Sequence, residues 1–249
     1  MEAYAVISDI HSNIYALRAV VEGAHAKGIT TFVNLGDTFY GPVEPKETFD
    51  YLCSLDALTI SGNQDRQIYQ STDAEITSNP TMKFVLDDLG ETPMEWLKSL
   101  PFDFEVNDEI YACHGTPCDD LIYLTEEISS GSALLRGEAE ILELLGTVTS
   151  KIILCGHSHT PRILSLSSGQ IDVNPGSIGL QAYADEEPVP HTIQNSTPEA
   201  AYATLRREQG GEWEISLHRV GYDYDRAIKR ASERRRNDWV NCLRTGRCF

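Results

Sequence analysis

Apolar residues recur along this chain with two periods that alternate. Residues 4–8 read as a short strand, and Ile14, Leu17, Val20, Val21 and Ala24 then fall on one stripe of a helix. Residues 31–35 and 58–61 repeat the strand pattern, with a helix predicted over 45–55 between them. A β-α-β-α-β order implies parallel strands joined by right-handed crossovers, which places any chemistry at the carboxyl ends of the strands. Residues 66 to about 101 read as helical and amphipathic, with Met82, Phe84, Val85, Leu89, Trp96, Leu97 and Leu100 as apolar positions and Pro101 as the stop. Beyond them the period shortens. Residues 102–106 and 109–113 flank the turn signal Asn107-Asp108 and predict a hairpin. Further short strands are expected at 151–155, 162–166, 170–173, 202–207 and 213–220, separated by Ser-Gly, Pro-Gly and Gly-Gly turns. They are expected to form a second sheet packed on the first. Residues 185–198, rich in Glu, Pro, Asn and Ser, predict an exposed loop, and a terminal helix is expected from Tyr222.

No Gly/Ser/Pro-rich linker and no internal repeat divides the chain, so one domain over 1–249 is expected, with 222–249 as a helical extension. Its 249 residues, 41% of them hydrophobic, suffice for a sizeable core. The apolar run after Met1 is too short for a signal peptide or a membrane span, and a cytoplasmic location with no membrane partner is the expectation. The six cysteines form no short secreted framework and are expected to be reduced thiols, mostly buried. A formal charge of −18 opposes duplex nucleic acid as a partner, because such binding needs cationic side chains to displace counterions. The basic residues crowd the end of the chain as Arg226, Lys229, Arg230, Arg234, Arg235 and Arg236. They read as a solvated helix face, or as a patch for an acidic partner or another subunit.

Five short runs begin where apolar segments end: Asp9-Ile10-His11, Gly36-Asp37, Gly62-Asn63-Gln64-Asp65, His114-Gly115 and Gly156-His157-Ser158-His159. Each alone is weak, since an Asp after Gly is more often a cap or turn than a ligand. Jointly they converge on one sheet edge. Burying so many polar groups there requires a partner that offsets desolvation, and a divalent cation is the simplest. Carboxylates, an amide and imidazoles in this number could hold two such ions, a device for moving phosphoryl groups.

In this order and spacing the runs resemble the calcineurin-like metallophosphoesterase superfamily, in particular its small prokaryotic phosphodiesterase-like branch, whose first block continues as His11-Ser12-Asn13 does here. The resemblance extends to Asn174-Pro175-Gly176-Ser177. It implies an α/β fold (α+β by some schemes), a four-layer α/β/β/α sandwich of two mixed sheets flanked by helices. It also implies that Asp9, His11 and His159 hold one metal, Asn63, His114 and His157 a second, and Asp37 bridges them. A hydroxide between the ions would then attack phosphorus. Mn²⁺ is the first choice of metal, with Fe, Zn²⁺, Ni²⁺ or Mg²⁺ as the others.

One departure matters. The family most often has histidine after Gly-Asn, assisting the leaving group; here that position is Gln64, and Asp65, which would orient the imidazole, is left without its usual partner. An amide cannot supply a proton, so either general-acid help of about 10²–10⁴-fold is missing and a phosphodiester with an acidic leaving group is favoured over a phosphomonoester, or a histidine elsewhere or a metal-bound water serves as the acid, or Gln64 marks reduced activity altogether. Arg66 and Arg162 are candidates for a substrate phosphate, Tyr40 for the pocket mouth, and Asn13 for a substrate contact or a helix cap. His25, His191 and His218 lie away from every run and are read as ordinary. The expected activity is that of a metal-dependent phosphoric ester hydrolase on a small phosphate ester. The alternatives are a weakly active scaffold of the same fold that binds a protein, and a phosphoprotein or phosphomonoester phosphatase. Homo-oligomer contacts, if formed, are expected at the 185–198 loop and the basic terminal helix.

Overall fold

Strands whose two faces are both covered read as unbroken apolar runs, and alternate residues of such a strand feed different cores. In the computed structural model, which describes residues 1–249, Ala5 and Ile7 point to one apolar cluster and Val6 to another. The elements are β1 (Glu2–Ile7), α1 (Ile14–Ala26), β2 (Thr31–Asn34), α2 (Pro45–Leu52) and β3 (Asp56–Thr59), then α3 (Asn63–Gln70), α4 (Asp73–Ser78), α5 (Pro80–Leu89) and α6 (Glu91–Ser99). These are followed by β4 (Asp103–Asn107), β5 (Ile110–Cys113), β6 (Glu126–Glu127), β7 (Leu134–Leu135), α7 (Glu138–Leu145), β8 (Ile152–Leu154), β9 (Arg162–Ser165) and β10 (Ile171–Asn174). The chain ends with β11 (Ala182–Asp185), β12 (His191–Gln194), β13 (Ala200–Arg207), β14 (Glu214–Val220), α8 (Tyr224–Glu233) and α9 (Asn237–Thr245).

Two five-stranded mixed sheets result, ordered β14-β13-β1-β2-β3 and β4-β5-β8-β10-β9. In the first, β1, β2 and β3 are parallel; in the second, β5, β8 and β10 are. Val6, Val33, Leu35 and Ile60 of the first sheet side meet Ile110, Ile152, Leu154 and Val173 of the second in a single buried cluster. Outside it, Leu17, Val20 and Ala24 of α1 cover Ala5, Ile7 and Phe32, and Ile141 and Leu145 of α7 cover Ile153 and Cys155. The fold is the mixed α/β sandwich of two sheets between helices that the sequence implies.

Several boundaries depart from expectation. β13 and β14 do not join the second sheet; β13 pairs antiparallel with β1 and extends the first. The stretch 185–198 is not wholly an exposed loop, because β12 pairs with β11 and buries His191 and Ile193. Residues 66–101 divide into four short helices, broken at Ser71-Thr72, Asn79-Pro80 and Gly90, where Thr72 and Asn79 cap the helices that follow. The terminal helix is two helices, α8 and α9, which pack on each other and on α1 and β11. Among the thiols, all six are free, and Cys53 and Cys118 are exposed.

Candidate metal centre

All five runs emerge at the carboxyl ends of β1, β2, β3, β5 and β8, where the two sheets meet. The backbone there is held in a form that L residues avoid. Asp9, His11, Asp37, His157 and His159 have φ between 48° and 66°, a left-handed conformation that persists only when surroundings dictate it. The loops dictate it to one another: Asp9 N donates to Gly36 O at 3.0 Å, His11 N to Asp37 O at 3.0 Å and Gly156 N to His114 O at 2.7 Å. Ser177 Oγ donates to Asp9 O at 2.8 Å, and Asn174 Nδ2 to Gly156 O at 2.9 Å, so the Asn-Pro-Gly-Ser run acts as a clasp. Gly62 lies so close to Asp37 that any Cβ there would collide with its carboxylate.

The side chains form two groups, Asp9 with His11 and His159, and Asp37 with His114 and His157; within each, one ligand atom per residue lies within 4.8 Å of the others. Asn63 joins the second, its Oδ1 3.0 Å from His114 Nε2. Hydrogen bonds assign the tautomers. His11 Nδ1 donates to Tyr40 O at 2.9 Å and His159 Nδ1 to Leu180 O at 2.6 Å, which turns their Nε2 atoms toward each other at 3.0 Å. Burial, reinforced by His159, pushes His11 down to about 4. Asp9 Oδ2 accepts from His157 N at 3.1 Å, while Oδ1 is buried with no hydrogen-bond partner. Converging lone pairs beside an orphaned carboxylate oxygen fit a cation.

The second group has the same character. Asp37 Oδ1 accepts from Gln64 N at 2.8 Å, and Oδ2 lies 3.6 Å from His114 Nε2. Burial opposes charge on His114, but Asp37 and then Asp9 lift it to about 10, so without a metal a proton takes the cation's place. Burial, then His114, depresses His157 to about 4. Burial opposes ionisation of both aspartates; His159 for Asp9 and His114 for Asp37 nevertheless hold them below the usual range.

A cavity of about 450 Å³ opens onto His11, Asp37, Asn63, Gln64, His157 and His159. Tyr40 lines it. Asn13 does not: it caps α1 through Ala16 N and spends its amide on Gly179 O and Tyr222. Arg66 pairs with Asp120 at 2.6 Å and Arg162 with buried Glu126 at 3.1 Å, and neither lines the cavity. Asp65 is driven up to about 7 by burial and by Asp37, and accepts from Thr38 N and Phe39 N, pinning the loop that carries Asp37. His25 and His218 stay distant from this cavity, but His191 is one residue behind it, accepting at Nε2 from Tyr123, whose ring lies 4.5 Å from His157. The remaining wall includes Tyr123, Leu180, Tyr183, Arg236 and Trp239, none of which the strand-end runs point to. Trp239, Cys242 and Leu243 do fall at helical spacing, the signal that α9 buries a face.

The sequence model of the calcineurin-like phosphoesterase superfamily domain matches residues 3–195. An uncharacterized protein of Methanocaldococcus jannaschii is 24% identical over 253 aligned residues, covering 95% of this chain and 94% of its own. Among solved structures, a metallophosphoesterase from Sphaerobacter thermophilus superposes with a TM-score of 0.75 at 21% identity, over 98% of this chain and 100% of that one. A hypothetical protein from Pyrococcus horikoshii gives 0.74 at 20% identity, over 99% of each chain.

Proposed function

Because this chain belongs to the calcineurin-like phosphoesterase superfamily, we propose that its strand-end site is a paired metal centre that hydrolyses a small phosphodiester. The observation that carries the reading is the facing pair of His11 and His159 Nε2 atoms beside the orphaned Asp9 Oδ1, at the floor of a cavity large enough for a small organic phosphate. Asp9, His11 and His159 would hold one ion and Asn63, His114 and His157 the other, with Asp37 between them. When bound, the ions would supply Lewis-acid activation of water and neutralise charge on the phosphoryl oxygens.

The chain's own residues do the rest. Asp37 keeps one oxygen for Gln64 N–H and so presents the other to the site in a fixed orientation. Arg236 is the cavity's single guanidinium or ammonium group; Asp238 at 2.6 Å and Thr81 hold it in place, and it is better sited for a non-bridging phosphate oxygen than Arg66 or Arg162, which do not line the cavity. Gln64 lines the cavity where the family usually has histidine, and its amide holds no transferable proton. Water adds to phosphorus and gives up a proton to solvent, the bond to the leaving oxygen breaks, and that oxygen departs as an anion that solvent protonates. Such a departure favours diesters with acidic leaving groups. The Mn²⁺-dependent hydrolysis of bis-p-nitrophenyl phosphate beside p-nitrophenyl phosphate tests this. Metal-stripped protein should be inactive, Mn²⁺ should restore mainly diester turnover, and Asp37→Asn should abolish it. Turnover that ignores metal, or that favours the monoester, contradicts the reading.

A further inference from the structure

The cavity has two ends of different chemistry. The ligand cluster forms one. The other is a largely apolar wall of Leu180, Ala182, Tyr183, Trp239 and Cys242, and α9, which supplies Trp239 and Cys242, lies beyond residues 3–195 that match the family domain. The rings of this wall are already fixed in place. The Trp239 indole meets His11 edge-on at 5.8 Å, with the Arg236 guanidinium 5.4 Å from its centroid, and Tyr183 stands T-shaped on His159 at 4.6 Å. Rings held this way lose little freedom when a ligand covers them, so the gain from covering them appears as affinity.

We propose that this wall selects the organic part of the ester. The substrate class is a small phosphodiester bearing one neutral, planar aromatic substituent, and Trp239 is the residue that determines specificity for it. This rests on the hydrolytic reading above. Three observations bear on the class. A volume of about 450 Å³ is that of a small-molecule site and accommodates a phosphate and one ring system. Trp239 borders the cavity with 5% of its surface exposed, which leaves room for edge contact with a flat partner and not for full face-to-face stacking. Asp185 and Asp238 line the same wall, and the cavity's one guanidinium, Arg236, is already paired with Asp238 at 2.6 Å, which disfavours a second anionic group such as the remainder of a polyphosphate.

The test compares phenyl p-nitrophenyl phosphate with methyl p-nitrophenyl phosphate, which share a leaving group and differ in the spectator substituent. In Mn²⁺-loaded protein, Trp239→Ala should lower the phenyl-to-methyl ratio of kcat/KM about tenfold, chiefly through KM, and Trp239→Phe should keep most of it. Should the alanine variant fail to fold, fluorescence decides. Phenyl phosphate, and not inorganic phosphate, should quench Mg²⁺-loaded wild-type protein saturably, and the quench should vanish in Trp239→Phe, which retains Trp96 and Trp213. Turnover of both esters with an unchanged ratio, or a quench that survives in Trp239→Phe, overturns this inference alone. Turnover of neither ester overturns the hydrolytic reading and this inference with it.

Discussion

A carbonyl oxygen only accepts, and at the scale of single residues that fact organises the site. Tyr40 O and Leu180 O take the Nδ1 protons of His11 and His159, which commits both Nε2 lone pairs to the space beside Asp9. Gln64 occupies the cavity differently: its backbone N–H orients Asp37, while its side-chain Oε1 is buried without a partner. Gln64→His should therefore raise phosphomonoesterase relative to diesterase activity. The rise should fall short of the 10²–10⁴-fold a well-oriented general acid supplies, because Asp65 accepts from Thr38 and Phe39 N–H at Oδ1 and from Gly62 N–H at Oδ2 and so has both oxygens engaged. Parallel assays on p-nitrophenyl and bis-p-nitrophenyl phosphate check this, and an unchanged ratio would remove Gln64 from the explanation of substrate preference.

At the scale of elements, the site was legible because each ligand run directly follows a buried strand, and a polar residue at the end of an apolar run is visible in sequence. The same locality explains what was missed. Arg236 and Trp239 reach the cavity only through the packing of α8 and α9 on each other and of α9 on β11, a contact between segments some 50 residues apart that no local period reports. β13 joins β1 across almost the whole chain, and its alternation fits either sheet equally well. His191 looked isolated because β12 is only four residues long, and its antiparallel pairing with β11 is what carries the ring to Tyr123. Arg66 and Arg162 were placed correctly next to the ligand runs, yet buried or nearly buried carboxylates, Asp120 and Glu126, claim them first.

At the scale of the whole molecule, a charge of −18 leaves the site's attraction for an anionic substrate mainly to whatever ions the ligands hold, because the one lining guanidinium, Arg236, shares its charge with Asp238. No helix is long and apolar enough to cross a membrane. The fold also carries a pH-dependent cost at a residue outside the cavity lining. Asp172 on β10 is fully buried, with Cys155 Sγ on one oxygen at 3.7 Å and no partner for the other, and burial drives it up to about 7. An unfolded aspartate ionises near pH 3.9, so between that pH and about 7 the folded chain binds the extra proton. Stability is present in full below this window, is lost as pH rises through it, and levels off above. Asp172→Asn removes the loss, and the calorimetric Tm of the variant minus that of the wild type should grow from pH 5 to 7.5; a constant difference would contradict the assignment. The claim on which the account turns is that the two ligand groups bind metal as a pair. Calorimetric titration of metal-stripped protein with Mn²⁺, with hydrolysis of bis-p-nitrophenyl phosphate followed at each addition, tests it most directly. The account predicts two ions per chain with activity appearing as they bind, whereas a folded protein that takes up no Mn²⁺, or hydrolyses the ester equally well without it, would contradict it.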